Sequence, residues 1–294
     1  MLTDLQCNTF QHDGFLGEAA FIPPSLLTEL QDEVFRLLDS ARPLSGNTDR
    51  YDLAPEHRPD AVLCRRIKDP FRFSPVFARL LASDAVGNIA RALLGPDIYI
   101  SDMPLNMKPP LDDRTDHPQG NEIGWHQDWA FEPLSNDNAI TLTVALCDCT
   151  LDNGALQVVP GTHKSVPLYR HGSEEAFTGA VDPTDPAVPW ERTRVLPVRA
   201  GSISVHHTRL LHGSGLNRTN RHRPLQAIGL RAADAWPTDQ PMTLEAVEKR
   251  LICGRALTPR HDASVPQPNL PPRAVESGSL FDLQQASRFS LFRP

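Results

Sequence analysis

Ala139-Ile140-Thr141-Leu142-Thr143-Val144-Ala145-Leu146-Cys147 reads as a single short strand, rich in Val, Ile, Leu and Thr, and is followed by the turn signal Asp152-Asn153-Gly154. Runs of the same kind recur at Leu156–Val159, Arg194–Val198, Ser202–His206 and Leu225–Arg231, separated by turns such as Pro160-Gly161. No helical periodicity lies between them. Many short strands in this arrangement point to a sandwich or barrel rather than a parallel α/β sheet. Upstream, Ile98-Tyr99-Ile100 and then Leu105 and Met107 predict a strand broken near Pro104.

The pattern before residue 97 is different. Ser25 is a good N-cap, and Leu26, Leu27, Leu30, Val34, Leu37 and Leu38 repeat at helical spacing as far as about Ser40. Ser74-Pro75 starts a second helical region, which Ser83 re-caps and Gly95 stops. Residues 42–72 read as a long surface connection, 164–193 as a lid-like insertion, and the Pro-rich tail as an extended arm. The expected organisation is one domain over 1–294: a helical part over 1–96, core strands over 97–235 and a C-terminal extension over 236–294.

Of the 294 residues, 40% are hydrophobic and 22% charged, which is ordinary for a soluble globular chain. A net charge of −7 argues against nucleic acid or an anionic membrane as the main partner. No apolar run approaches the roughly 20 residues of a membrane span, and Met1-Leu2-Thr3-Asp4 does not open a secretory signal. A cytoplasmic chain, monomeric or homodimeric, is expected. Five scattered Cys read as reduced thiols; Cys147 and Cys149 could be half of a zinc site, but no matching second pair accompanies them.

The chemistry centres on Gly124-Trp125-His126-Gln127-Asp128-Trp129. In an extended stretch His126 and Asp128 leave the same face, so an imidazole and a carboxylate converge. A further His would complete the two-His-one-carboxylate set that suits Fe(II). His206, His207 and His212 follow. His206 and His207 are neighbours on a strand, so at most one points inward. His212 precedes a Gly-rich turn, and Arg223 stands eleven residues further on, where its guanidinium could grip a carboxylate; Arg221 competes for that role.

Four features together resemble the phytanoyl-CoA dioxygenase family of Fe(II)- and 2-oxoglutarate-dependent oxygenases. They are Trp125-His126-Gln127-Asp128, Val159-Pro160-Gly161-Thr162-His163-Lys164, His212-Gly213-Ser214-Gly215-Leu216-Asn217 and Arg223; Asp13-Gly14-Phe15-Leu16 and Ser279-Leu280-Phe281-Asp282-Leu283-Gln284 add to the likeness. The resemblance implies a mainly β fold with flanking α-helices and a double-stranded β-helix (jelly-roll, cupin-like) core. It implies His126, Asp128 and His212 as metal ligands, Fe(II) with 2-oxoglutarate and O2 as the reaction's requirements, and Arg223 as the partner of the co-substrate's distal carboxylate. Asn106, Lys108, Gln127, Trp125 and Ser214 are further candidates for the co-substrate pocket. The implied activity is hydroxylation, desaturation or rearrangement at an unactivated C–H of a small organic molecule, with secondary metabolism the favoured setting. A metal-binding jelly roll without turnover, serving as a sensor or structural protein, is the alternative.

Overall fold

The computed structural model describes residues 1–110, 121–165, 168–173, 175–268, 271–274, 280–287 and 289–292. Its N-terminal helices are α1 (Asp4–Asp13), α2 (Pro24–Ala41), α3 (Pro75–Leu81) and α4 (Asp84–Leu94). α2 buries Leu30, Val34, Leu37 and Ala41, one stripe at helical spacing. Its N-cap is Pro23 rather than the expected Ser25, and Pro24 occupies the first helical position, where a missing N–H costs nothing. Ser83 caps α4 as its sequence suggests, its hydroxyl accepting from the Val86 amide.

Two antiparallel sheets follow. The larger contains β1 (Phe15–Phe21), β2 (Tyr51–Leu53), β3 (Cys64–Ile67), β4 (Ile98–Ile100), β5 (Leu105–Asn106), β7 (Ala139–Ala145), β10 (Ser202–His207), β12 (Leu225–Ala232) and β13 (Leu251–Cys253). The smaller has the order β6 (Ile123–His126), β11 (His212–Ser214), β8 (Leu156–Val158), β9 (Arg194–Leu196). This is the jelly-roll architecture.

The division at residue 96 needs correction. β1, β2 and β3 come from the part expected to be helical, and β13 comes from the C-terminal extension; all four join the larger sheet. β1 runs beside β10, and β2–β3 form the far edge beyond β5.

Alternation along the central strands assigns the two faces of the larger sheet. Ile140, Leu142 and Val144 of β7, Ile203 and Val205 of β10, and Ile228 and Leu230 of β12 bury into one cluster with Leu30, Phe77, Leu80 and Ile89 of the helices. Each such side chain contributes about 1.5–3 kcal/mol on burial. The residues between them, among them Thr141, Thr143, His206, Ala227, Gly229 and Arg231, line a cavity on the opposite face.

Candidate active site

That cavity, about 380 Å³, lies between the two sheets, with Ile123, His126, Leu156 and His212 contributed by the smaller one. His126 of β6 and His212 of β11 are direct cross-strand partners. Paired residues in an antiparallel ladder project from the same face, so the ladder itself brings together two side chains far apart in sequence. Asp128 opens a short 3₁₀ turn, Asp128–Ala130, immediately after β6.

One nitrogen of each His and one carboxylate oxygen of Asp128 all lie within 4.8 Å of one another. His126 Nε2 is 3.5 Å and His212 Nε2 3.6 Å from Asp128 Oδ1. The second ring nitrogens fix the tautomers. His126 Nδ1 lies 2.7 Å from the Gly124 carbonyl and His212 Nδ1 2.9 Å from the Leu210 carbonyl. A carbonyl can only accept, so Nδ1 carries a hydrogen in both rings and Nε2 is the atom each ring turns to the shared space.

The charge states suit a cation. Burial works against ionised Asp128, but the pull of His212 and the close imidazoles of His126 and His206 outweigh it and hold the carboxyl well below its ordinary range. Burial, with His126 and His206 alongside, keeps His212 neutral well below the usual imidazole value. A neutral His212 and an ionised Asp128 are the states in which these two side chains bind a divalent metal.

Arg223 is 2% exposed and lines the same cavity. Its amide donates to the Met107 carbonyl at 2.9 Å, and Nη2 donates to Ser214 Oγ at 3.4 Å. Nε and Nη1 are buried and unpartnered among the described residues. A buried guanidinium with open donors is the cradle a carboxylate would fill. Arg221 is exposed and does not line the cavity. Ser214 donates to the Gly154 carbonyl at 2.7 Å, so its oxygen serves to orient Arg223. Asn106 also lines the cavity, its Oδ1 accepting from Arg66 Nε at 3.3 Å.

Three of the expected pocket residues are not part of the cavity lining. Two residues beyond Asn106, Lys108 would share its face in a continuing strand, but β5 stops at Asn106 and Lys108 has φ +35. Its ammonium is buried and donates to the carbonyls of Asn121, Ser214 and Gly215 at 2.7, 3.1 and 2.7 Å. Burial, with Arg223 nearby, pushes its pKa well down. Gln127 is fully buried and spans Arg209 and Tyr169 through its amide group. Trp125 packs on Trp190 and Phe292. Tyr169, Val181, Val188 and Trp190 of the 164–193 insertion cluster with Trp125, while its Phe177 packs on Phe131 and Leu283 of the cavity wall; none of the described residues of the insertion lines the cavity itself.

Other cavity residues were not among the candidate site residues, although Leu280 and Leu283 belong to the closing motif quoted above. Arg66, Asp102, Glu132 and Arg231 line it, as do Leu280 and Leu283 of the C-terminal helix α6 (Leu280–Gln285). Arg231 pairs with Glu132, and its Nη1 reaches Tyr99 Oη at 3.4 Å. His206 faces the cavity; His207 faces away, 3.8 Å from Asp137, and burial, partly opposed by Asp137, lowers its pKa to about 3.

Fold and site together define a jelly-roll protein with a two-His-one-carboxylate face open to an interior cavity. The pattern of the phytanoyl-CoA dioxygenase (PhyH) family matches residues 10–225, and the chain belongs to that family. A probable alpha-ketoglutarate-dependent hypophosphite dioxygenase of Stutzerimonas stutzeri is 27% identical over 277 residues, 93% of this chain and 94% of that protein. Ectoine dioxygenase of Sphingopyxis alaskensis is 27% identical over 256 residues, 80% of this chain and 79% of its own length. Among solved structures, EctD from S. alaskensis with bound Fe superposes with a TM-score of 0.67 at 23% identity, covering 90% of this chain and 89% of that one. The epimerase SnoN, in complex with Fe3+, alpha ketoglutarate and nogalamycin RO, gives a TM-score of 0.63 at 20% identity over 88% of this chain and 96% of that one.

Proposed function

We propose that this protein is a non-haem Fe(II)- and 2-oxoglutarate-dependent dioxygenase acting on a small, polar substrate, with His126, Asp128 and His212 as the iron ligands and Arg223 as the anchor of the co-substrate. The observation that carries the reading is the convergence of two imidazole Nε2 atoms and Asp128 Oδ1 beside a buried guanidinium with open donors. With iron, 2-oxoglutarate and O2 bound, the centre supplies oxidation of a C–H bond coupled to release of succinate and CO2.

The chain's own residues do the rest. The Gly124 and Leu210 carbonyls orient the two ligand rings. Arg223, held by Ser214, is placed to bind a distal carboxylate bidentately. Leu280 and Leu283 cover part of the cavity and exclude water. Asp102, Glu132, Arg66 and Arg231 give the remaining wall a charged lining, which favours a small polar compound over a long acyl chain.

The five thiols are free, and no helix among the described residues is long and apolar enough to cross a membrane. We infer a single-domain cytoplasmic enzyme, monomeric or homodimeric, and the net charge of −7 weighs against a nucleic-acid or anionic-membrane partner. Anaerobic addition of Fe(II) and 2-oxoglutarate to the purified protein tests the proposal. A weak visible charge-transfer band is expected, and a metal-bound protein that shows none would instead be the jelly roll without turnover.

A further inference from the structure

His206 has no part in the ligand set or in the grip on the co-substrate, yet it stands against both Asp128 and His212. β10 runs antiparallel to β7, with His206 opposite Thr141. Both reach the same carboxylate oxygen. Thr141 Oγ1 donates to Asp128 Oδ2 at 2.8 Å, and His206 Nε2 lies 3.4 Å from that atom. The other oxygen, Oδ1, faces His126 and His212. The carboxylate is thus divided, one oxygen towards the ligand imidazoles and the other towards a hydroxyl and a third imidazole.

His206 is 3% exposed, its ring centroid is 4.3 Å from that of His212, and neither ring nitrogen has a hydrogen-bond partner among the described residues. Buried polar groups are rarely left unmatched. Asp128 Oδ2 is a carboxylate oxygen within 0.6 Å of the ordinary N–H···O separation of about 2.8 Å, the difference between that and the 3.4 Å observed. A neutral ring with its hydrogen on Nε2 would make the bond after a small turn of either side chain, leaving only an acceptor, Nδ1, facing the interior.

We infer that His206 is a positioning residue of the metal centre: with Thr141 it holds Oδ2 of Asp128, so that the carboxylate offers one oxygen to the metal. The inference rests on the metal reading above. A carboxylate free to turn can bind through both oxygens and take up a coordination position that the co-substrate or oxygen needs. Holding the second oxygen keeps that position open.

Anaerobic titration of the metal-free protein with Co(II), followed by its visible spectrum, tests this without turnover. His206→Ala should weaken Co(II) binding by about ten-fold, a usual cost of losing a partner of a ligand, and should shift the spectrum towards higher coordination. His206→Gln, which keeps an N–H donor at similar reach, should restore most of the affinity and the wild-type spectrum. If His206→Ala does not fold, His206→Phe, which fills the volume without a donor, replaces it. Wild-type affinity and spectrum in the donor-less variant would overturn the inference. So would a Gln variant as impaired as the Ala or Phe variant, with losses that track the melting temperature of the metal-free protein. Failure of the wild type to bind Co(II) would sink the metal reading itself, whereas normal wild-type binding with an unaffected variant removes only the role of His206.

Discussion

At the scale of single residues, the proposed function gives Asp128 to the metal and Arg223 to the co-substrate. Asp128→Ala removes the only carboxylate in the converging set found among the described residues, so succinate production should fall to background when measured by chromatography. Full turnover would assign the role to a different carboxylate. Arg223→Leu removes a charge-assisted pair worth about 1.5–3 kcal/mol, which should raise the 2-oxoglutarate concentration for half-maximal rate by roughly 10–150-fold. Arg221→Leu should leave it unchanged, because Arg221 is exposed outside the cavity. Lys108 acts on stability. Lys108→Met leaves the carbonyls of Asn121, Ser214 and Gly215 without their donor. That outweighs relief from burying a charge, for a net loss of about 1–3 kcal/mol, readable as a lower urea midpoint; an unchanged midpoint would return Lys108 to the list of co-substrate residues.

Among the elements, α6 shows how a weak sequence signal becomes part of the site. Its Leu283 lines the cavity and its Gln284 is 2% exposed. Gln284 Oε1 accepts from the Gly124 amide at 2.9 Å and Nε2 donates to the Gly179 carbonyl at 2.9 Å. One side chain therefore ties the C-terminal segment to the strand that carries His126. Gln284→Ala should cost about 1–3 kcal/mol through the unmatched backbone groups and should expose the tail to limited proteolysis ahead of the core. Cleavage no faster than in the wild type would mean that the apolar contacts of Phe281 and Leu283 are sufficient. β2 and β3 were invisible to sequence patterning for a related reason. Tyr51–Leu53 and Cys64–Ile67 are three or four residues long, too short for alternation to show, and they are strands because β5 offers an edge to β3 and β3 offers one to β2.

At the scale of the whole molecule, buried imidazoles link stability to pH. Burial lowers His171 to about 3 and His222 to about 4, and His207 to about 3 against a partial pull from Asp137. Each is depressed below the unfolded value near 6.5, so the unfolded chain binds the proton first. Stability is complete above about pH 6.5 and falls as pH drops towards the folded values, by up to about 1.4 kcal/mol per unit for each group. The melting temperature of the metal-free protein should therefore decline steadily from pH 7 to pH 5; a flat profile would show that these rings are solvated in the native state.

The strand succession, the helical stripe of α2 and the shared face of His126 and Asp128 were legible from residue types and spacing, because alternation and helical periodicity are local rules that the chain carries with it; His212 and Arg223 were singled out by the family resemblance. The burial of Arg223 in the cavity wall beside an exposed Arg221, the inward face of His206 and the withdrawal of Lys108, Gln127 and Trp125 from the cavity were not legible. Each depends on which strand lies alongside, where a strand stops and which carbonyls are left to satisfy. Those are relations between segments distant in sequence, and only the packed sheets decide them.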